Sequence, residues 1–187
     1  MLTRIAIGLV ALALLALGVM NAANKAGVLG SAKPPTRVAA GSAAVTLPAV
    51  WHADTGDLSE LRDGVCKLVA PARTCAAYFI KGLGSPRALA VVAIGPAPTG
   101  GAEGLRNALA ADGTEAKGPA AVAGPLRAQR YRTTYKKRGR NASLAVTDGI
   151  PVGADLLLLQ VVAEEAEGRY QEQLLADIEK SLEVPTK

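Results

Sequence analysis

The chain has 187 residues, half of them apolar, with a formal net charge of +5 and only 3% aromatics. That length holds one ordinary domain beside a short N-terminal segment. Scarce aromatics argue against single-strand nucleic-acid binding, which needs stacking platforms. The charge is local: seven basic residues between Arg127 and Arg140 are balanced by seven acids between Glu164 and Glu183, which argues against a uniformly cationic nucleic-acid binder.

Residues 1–23 open with an amine and Arg4, then run apolar from Ile5 to Met20. The stretch is apolar all round, unlike a surface helix of a soluble domain. It is long for a signal peptide and short for a generous membrane span. The favoured reading is an uncleaved signal anchor, with a cleaved signal as the alternative. No strong small-residue cleavage site follows, and no cysteine precedes Cys66 to form a lipobox. Lys25, Lys33 and Arg37 follow the segment, so charge asymmetry alone does not orient it. Residues 24–44, rich in Gly, Ala, Ser and Pro, read as a flexible tether. The domain proper is then 45–187.

The cysteines, Cys66 and Cys75, are nine positions apart. His52 is the only histidine. Two thiols cannot close a tetrahedral metal site, and eight intervening residues do not suit a Cys-x-x-Cys redox motif. In an exported domain such a pair is expected to oxidise to a structural disulfide; two separate reduced, buried thiols are the alternative.

Along the domain, 43–53 reads as a short strand, and 52–64 as a loop or one helical turn. Val65–Val69 and Cys75–Lys81 read as a hairpin turning at Pro71. The apolar run 87–95 reads as a strand buried on both faces. Leu105 and Leu109 support a helix over 101–111, and 117–125 reads as a connector. From Ala128 the chain alternates, with Ala128, Arg130, Arg132 and Thr134 on one side and Gln129, Tyr131, Thr133 and Tyr135 on the other. A turn at Gly139 follows, then a return strand that breaks at Asp148-Gly149. The run 154–163 reads as a second central strand. Tyr170, Leu174, Ile178 and Leu182 mark a final helix over 166–183, with Glu164, Glu165 and Glu167 at its N-terminal end. The expected fold is α+β: an antiparallel sheet packed by helices, preceded by the N-terminal hydrophobic helix.

Three features of this layout resemble the PsbP-like α/β/α sandwich superfamily. They are Trp51 after "TLPAV", the long stretch from "VAGPLRAQRYRTTYKKRGRN" through "ADLLLLQVVAEEAEG", and the closing "LLADIEKSLEV". The resemblance covers about residues 45–184 and includes small exported bacterial members. It implies a non-enzymatic domain that binds or stabilises other proteins beside membrane complexes. It transfers no site residue, and the missing lipobox departs from the lipoprotein members.

Catalytic, cofactor and metal sites are expected to be none. The Gly-rich turn "GPAPTGG" leads into a helix but matches no nucleotide-binding pattern. His52 has no G-x-S-x-G nucleophile to serve. The informative candidate is the basic hairpin, with Arg130 and Arg132 on one face and Lys136, Lys137, Arg138 and Arg140 around the tip. Such charge can simply solvate a strand and deter edge pairing. It can also dock on an acidic protein or on anionic lipid headgroups. The expected function is an exported, membrane-tethered, non-enzymatic accessory subunit acting by protein contact. The membrane is its partner through the N-terminal helix, nucleic acid is not a partner, and the C-terminal domain is periplasmic or extracellular. The alternative is a cleaved, soluble ligand-binding or chaperone-like protein. A cell-wall hydrolase would need a deep polar cleft near His52.

Overall fold

The structure is a computed structural model that describes residues 35–54, 56, 58–81, 87–111, 115–124, 126–135, 143–164 and 168–183. The segment 1–23 and the first part of the tether, to residue 34, lie outside the described residues. No described helix is long and apolar enough to cross a membrane.

Twelve elements follow in chain order among the described residues: β1 (Thr36–Ala40), β2 (Ala43–Leu47), β3 (Trp51–Ala53), α1 (Ser59–Lys67), β4 (Thr74–Ile80), β5 (Ala88–Pro96), α2 (Gly101–Ala110), β6 (Glu115–Ala121), β7 (Gln129–Tyr135), β8 (Ser143–Val152), β9 (Asp155–Glu164) and α3 (Gly168–Glu179). Seven strands form one sheet in the order β3-β4-β5-β9-β8-β7-β6, and every neighbouring pair is antiparallel. The two apolar runs, β5 and β9, lie side by side near the middle, where a strand needs greasy side chains on both faces.

Each face of the sheet has its own core. On one, Val92, Ile94, Val146, Ile150, Leu157 and Leu159 pack with Leu175 and Ile178 of α3 and with Val45 and Leu47 of β2. On the other, Val91, Ala93, Tyr131 and Leu158 pack with Val65 of α1 and with Leu105 and Leu109 of α2. The α+β expectation therefore holds for the described residues, as three layers about an antiparallel sheet.

Four local expectations are corrected. Residues 36–40 and 43–47 form a two-stranded hairpin, so the tether reading fails there. Its Val38, Ala40 and Val45 are buried in the α3-side core, which compensates for the Gly and Ser between them. The hairpin read at 65–81 is half wrong, because residues 59–67 are a helix. Leu58, Leu61, Val65 and Leu68 recur at helical spacing, and all pack into the α1–α2 core. Glu60 in the first turn and Lys67 in the last suit the helix dipole.

The connector read at 117–125 contains the edge strand β6. Its Pro119 is tolerated because an edge strand has one unpaired side, and the register shifts between Lys117 and Ala120. Gly118 sits there at φ +121°, and a Cβ would lie 2.6 Å from the Arg130 carbonyl oxygen, so only glycine fits. Asp148-Gly149 is no break: β8 runs on to Val152, and the turn falls instead at Gly153, with φ +63°. Asp148 stays within the strand because its charge has a partner.

The C-terminal end is clasped to the hairpin. Thr46 N–H donates to Ser181 Oγ (3.0 Å), and Ser181 Oγ lies 2.7 Å from the Thr46 carbonyl. Beside it, Ala44 and Glu183 exchange two backbone bonds of 3.0 and 2.9 Å.

Candidate functional site

The basic hairpin is where sequence placed the interaction patch, and two of its residues are described. Alternation along β7 is as expected. Tyr131 and Thr133 turn toward α2, while Arg130 and Arg132 turn toward α3. Lys136, Lys137, Arg138 and Arg140 lie outside the described residues.

Arg130 is not a free cation. Across the β7–β8 ladder it stands directly opposite Asp148. Its Nε donates to Asp148 Oδ1 at 2.7 Å and its Nη2 to Oδ2 at 2.5 Å. The Asp148 side chain is fully buried and that of Arg130 is 15% exposed. This hydrogen bond raises the guanidinium's affinity for its proton, against the effect of burial.

Glu179, on the last turn of α3, completes the cluster with Oε2 at 3.8 Å from Arg130 Nη2. Its Oε1 is buried without a hydrogen-bond partner in the ordinary range. Burial first, and then the adjacent Asp148 carboxylate, push the Glu179 carboxyl up to about 7; Arg130 pulls the other way without prevailing. Two acids and one base thus share a nearly closed site, and the Glu179 carboxyl holds its proton below neutrality and gives it up as pH rises through about 7. The arrangement consumes Arg130's charge internally and offers no anion-binding fork.

Arg132 is likewise held, by the Glu172 carboxylate of α3, though this pair is more exposed. The basic and acidic blocks of the sequence therefore meet: β7 supplies the arginines and α3 the glutamates. Of the six patch residues, the structure brings Arg130 and Arg132 into the fold's own ion pairs.

Cys66 and Cys75 form a disulfide with Cα atoms 6.0 Å apart. It joins the last turn of α1 to the start of β4, rather than two strands of a hairpin. His52 is half-buried on β3, where it stacks on Phe79 across the ladder at 5.5 Å. At the Gly-rich turn, Gly100 takes φ +86° and Gly101 N–H donates to the Pro98 carbonyl at 3.1 Å, a tight strand-to-helix connection.

Sequence reasoning missed a polar row on the α1–α2 face. Thr133, Thr147 and Gln160 are each at most 1% exposed. Gln160 Nε2 donates to Thr147 Oγ1 at 2.9 Å. Gln160 Oε1 and Thr133 Oγ1 have no protein partner. Leaving such a group unpaired costs about 1–3 kcal/mol. The signal was present: Gln160 interrupts the otherwise greasy run "ADLLLLQVVA".

No protein-family model matches the chain, and no curated protein matches it. Solved structures do share its outline at low identity. A protein from Bacteroides thetaiotaomicron aligns over 83% of this chain with a TM-score of 0.47 and 4% identity; the chain spans half of that protein, 50%. The Ran-binding protein Mog1p of Saccharomyces cerevisiae aligns over 81% of this chain and 95% of its own, at 10% identity and a TM-score of 0.48. LpqN of Mycobacterium tuberculosis, described as involved in cell envelope biogenesis, aligns over 83% of this chain and 88% of its own, at 14% identity and a TM-score of 0.46.

Proposed function

We propose that this chain is an exported, membrane-tethered domain of the PsbP-like kind. It acts by protein contact rather than catalysis, as an accessory subunit of an envelope or membrane complex. The observation that carries the reading is the Cys66–Cys75 bridge, a bond that persists in oxidising compartments and is rare in the cytosol. The apolar leader 5–20 supplies the route out and the tether. The three-layer order of elements, closing on Ile178-x-x-Ser181-Leu182, supports the kinship.

The contact surface follows from charge accounting. Arg130 and Arg132 are committed to Asp148, Glu179 and Glu172. Lys136, Lys137, Arg138 and Arg140, in the connection between β7 and β8, are the remaining cations of the patch. An acidic protein surface is the partner this segment suits, and anionic headgroups nearby add attraction of about 1 kcal/mol per basic residue.

The test is affinity purification from solubilised membranes, with wild type beside a Lys136→Glu, Lys137→Glu, Arg138→Glu variant. Loss of specific partners from the variant supports the reading. Identical recovery from both would leave those charges as mere solvation. N-terminal sequencing of the mature protein separates the tether from the soluble alternative: a start near Asn24 or Lys33 means the leader is cut away.

A further inference from the structure

The turn that carries Glu179 also carries the clasp on the β1–β2 hairpin. The Glu179 peptide carbonyl accepts from Leu182 N–H at 3.0 Å. Two residues beyond Glu179, Ser181 holds Thr46 of β2. Glu183 then exchanges backbone bonds with Ala44 and pairs its carboxylate with Arg37 of β1.

The cluster beneath that turn suits one negative charge. Arg130 Nη2 faces both acids, but it makes its short contact with Asp148, at 2.5 Å, and stands 3.8 Å from Glu179 Oε2. Glu179 Oε1 is buried, and no described group donates to it. A proton resolves this: a neutral Glu179 carboxyl donates to the Asp148 carboxylate, leaving one acid charge against one guanidinium. An ionised Glu179 sets two acids against one base at the negative end of a helix dipole, with its side chain only 12% exposed. The other charges around α3 give no relief. Arg132 of β7 is taken by Glu172, Lys180 by Asp177, and Arg37 of β1 by Glu183. Neither β2 nor β9 between Leu156 and Ala163 carries a charged residue.

We propose that Glu179 is a proton-operated latch: neutral, it seats the last turn of α3 on β7 and β8; ionised, it leaves the cluster, and the clasp on β1–β2 loosens with it. Asp148 is fixed in mid-strand between β7 and β9, whereas Glu179 ends its helix, so Glu179 is the acid that moves. The seated carboxyl binds its proton more tightly than a released one, so the latch holds in acid and opens as pH rises through about 7. Opening uncovers the apolar seam between Ile178 of α3 and Val45 and Leu47 of β2, all buried while it is shut.

Amide NMR of the full chain in detergent, titrated from pH 5 to pH 8, tests the latch. The signals of Ala44, Thr46 and residues 181–183 are expected to shift together with a common midpoint near 7, while those of α1 and α2 hold. In Glu179→Gln, which keeps the seat neutral, the same signals are expected to hold across the titration. Wild-type shifts confined to the neighbours of Glu179, Asp148 and Arg130 would mean that the acid titrates without moving, and would overturn the proposal. Hairpin shifts that persist undiminished in Glu179→Gln would overturn it as well, by assigning them to another group. The wild-type titration decides the matter by itself if the variant folds poorly.

Discussion

Arg130 and Asp148 face each other across β7 and β8 and close a two-pronged ion pair, with bonds of 2.7 and 2.5 Å, beneath the last turn of α3. A buried pair of this kind is costly to break from one side. Arg130→Met leaves Asp148 buried without its counter-charge and is expected to cost about 3–5 kcal/mol in urea unfolding. The double change Arg130→Met, Asp148→Leu costs distinctly less than the two single changes added together, which a double-mutant cycle reads directly. Arg132→Ala, at the more exposed pair with Glu172, costs at most about 1 kcal/mol.

Glu179 makes stability depend on pH in an unusual direction for an acid. Its folded value, about 7, lies above the ordinary 4.5. The folded state therefore binds this proton more tightly than the unfolded chain. The contribution is complete below about pH 4.5 and is lost as pH rises through about 7. Urea midpoints of the wild-type protein should fall between pH 5 and pH 8. Glu179→Gln, which keeps a neutral side chain, should flatten that fall by up to one proton's worth of slope. An equally steep profile in the variant would contradict the shared-proton cluster.

The disulfide closes a ring of roughly ten residues, for which chain entropy predicts about 2.5–3 kcal/mol. Cys66→Ser, Cys75→Ser or simple reduction should lower the unfolding free energy by that amount. The bridge ties α1 to β4, so amide exchange in α1 should accelerate more than exchange in the central strands β5 and β9.

Ser181→Ala removes the acceptor of the Thr46 N–H and the donor to its carbonyl. An expected loss of about 1–2 kcal/mol should come with faster amide exchange in β1 and β2, because Ser181 is their side-chain clasp to the chain's end.

What was legible depended on where the partners lay. β5 and β9 announced themselves, since a run such as Ala88–Gly95 has no polar side to expose. The final helix showed in Tyr170, Leu174 and Ile178 at four-residue spacing. α1 was mistaken because "GVCKLV" is rich in strand-forming residues, and only the longer series Leu58, Leu61, Val65 and Leu68 reveals the helix. β6 was missed because Gly118 and Pro119 resemble a loop and are admissible on an edge. The role of Arg130 was half visible. Arg130 and Asp148 are equidistant from Gly139, so the hairpin centred there places them opposite each other. Glu179, brought in by a separate helix, left no local trace.

On the proposed reading the domain lies outside the reducing cytosol, with Cys66 joined to Cys75. Intact cells are treated with a membrane-impermeant thiol reagent of large mass and, separately, with external protease, and the fresh lysate is then alkylated under denaturing conditions. No mass shift is expected until reductant is added, and the external protease is expected to cleave the domain of a protein that retains its leader. Two freely alkylated cysteines in a domain sheltered from the protease would contradict it.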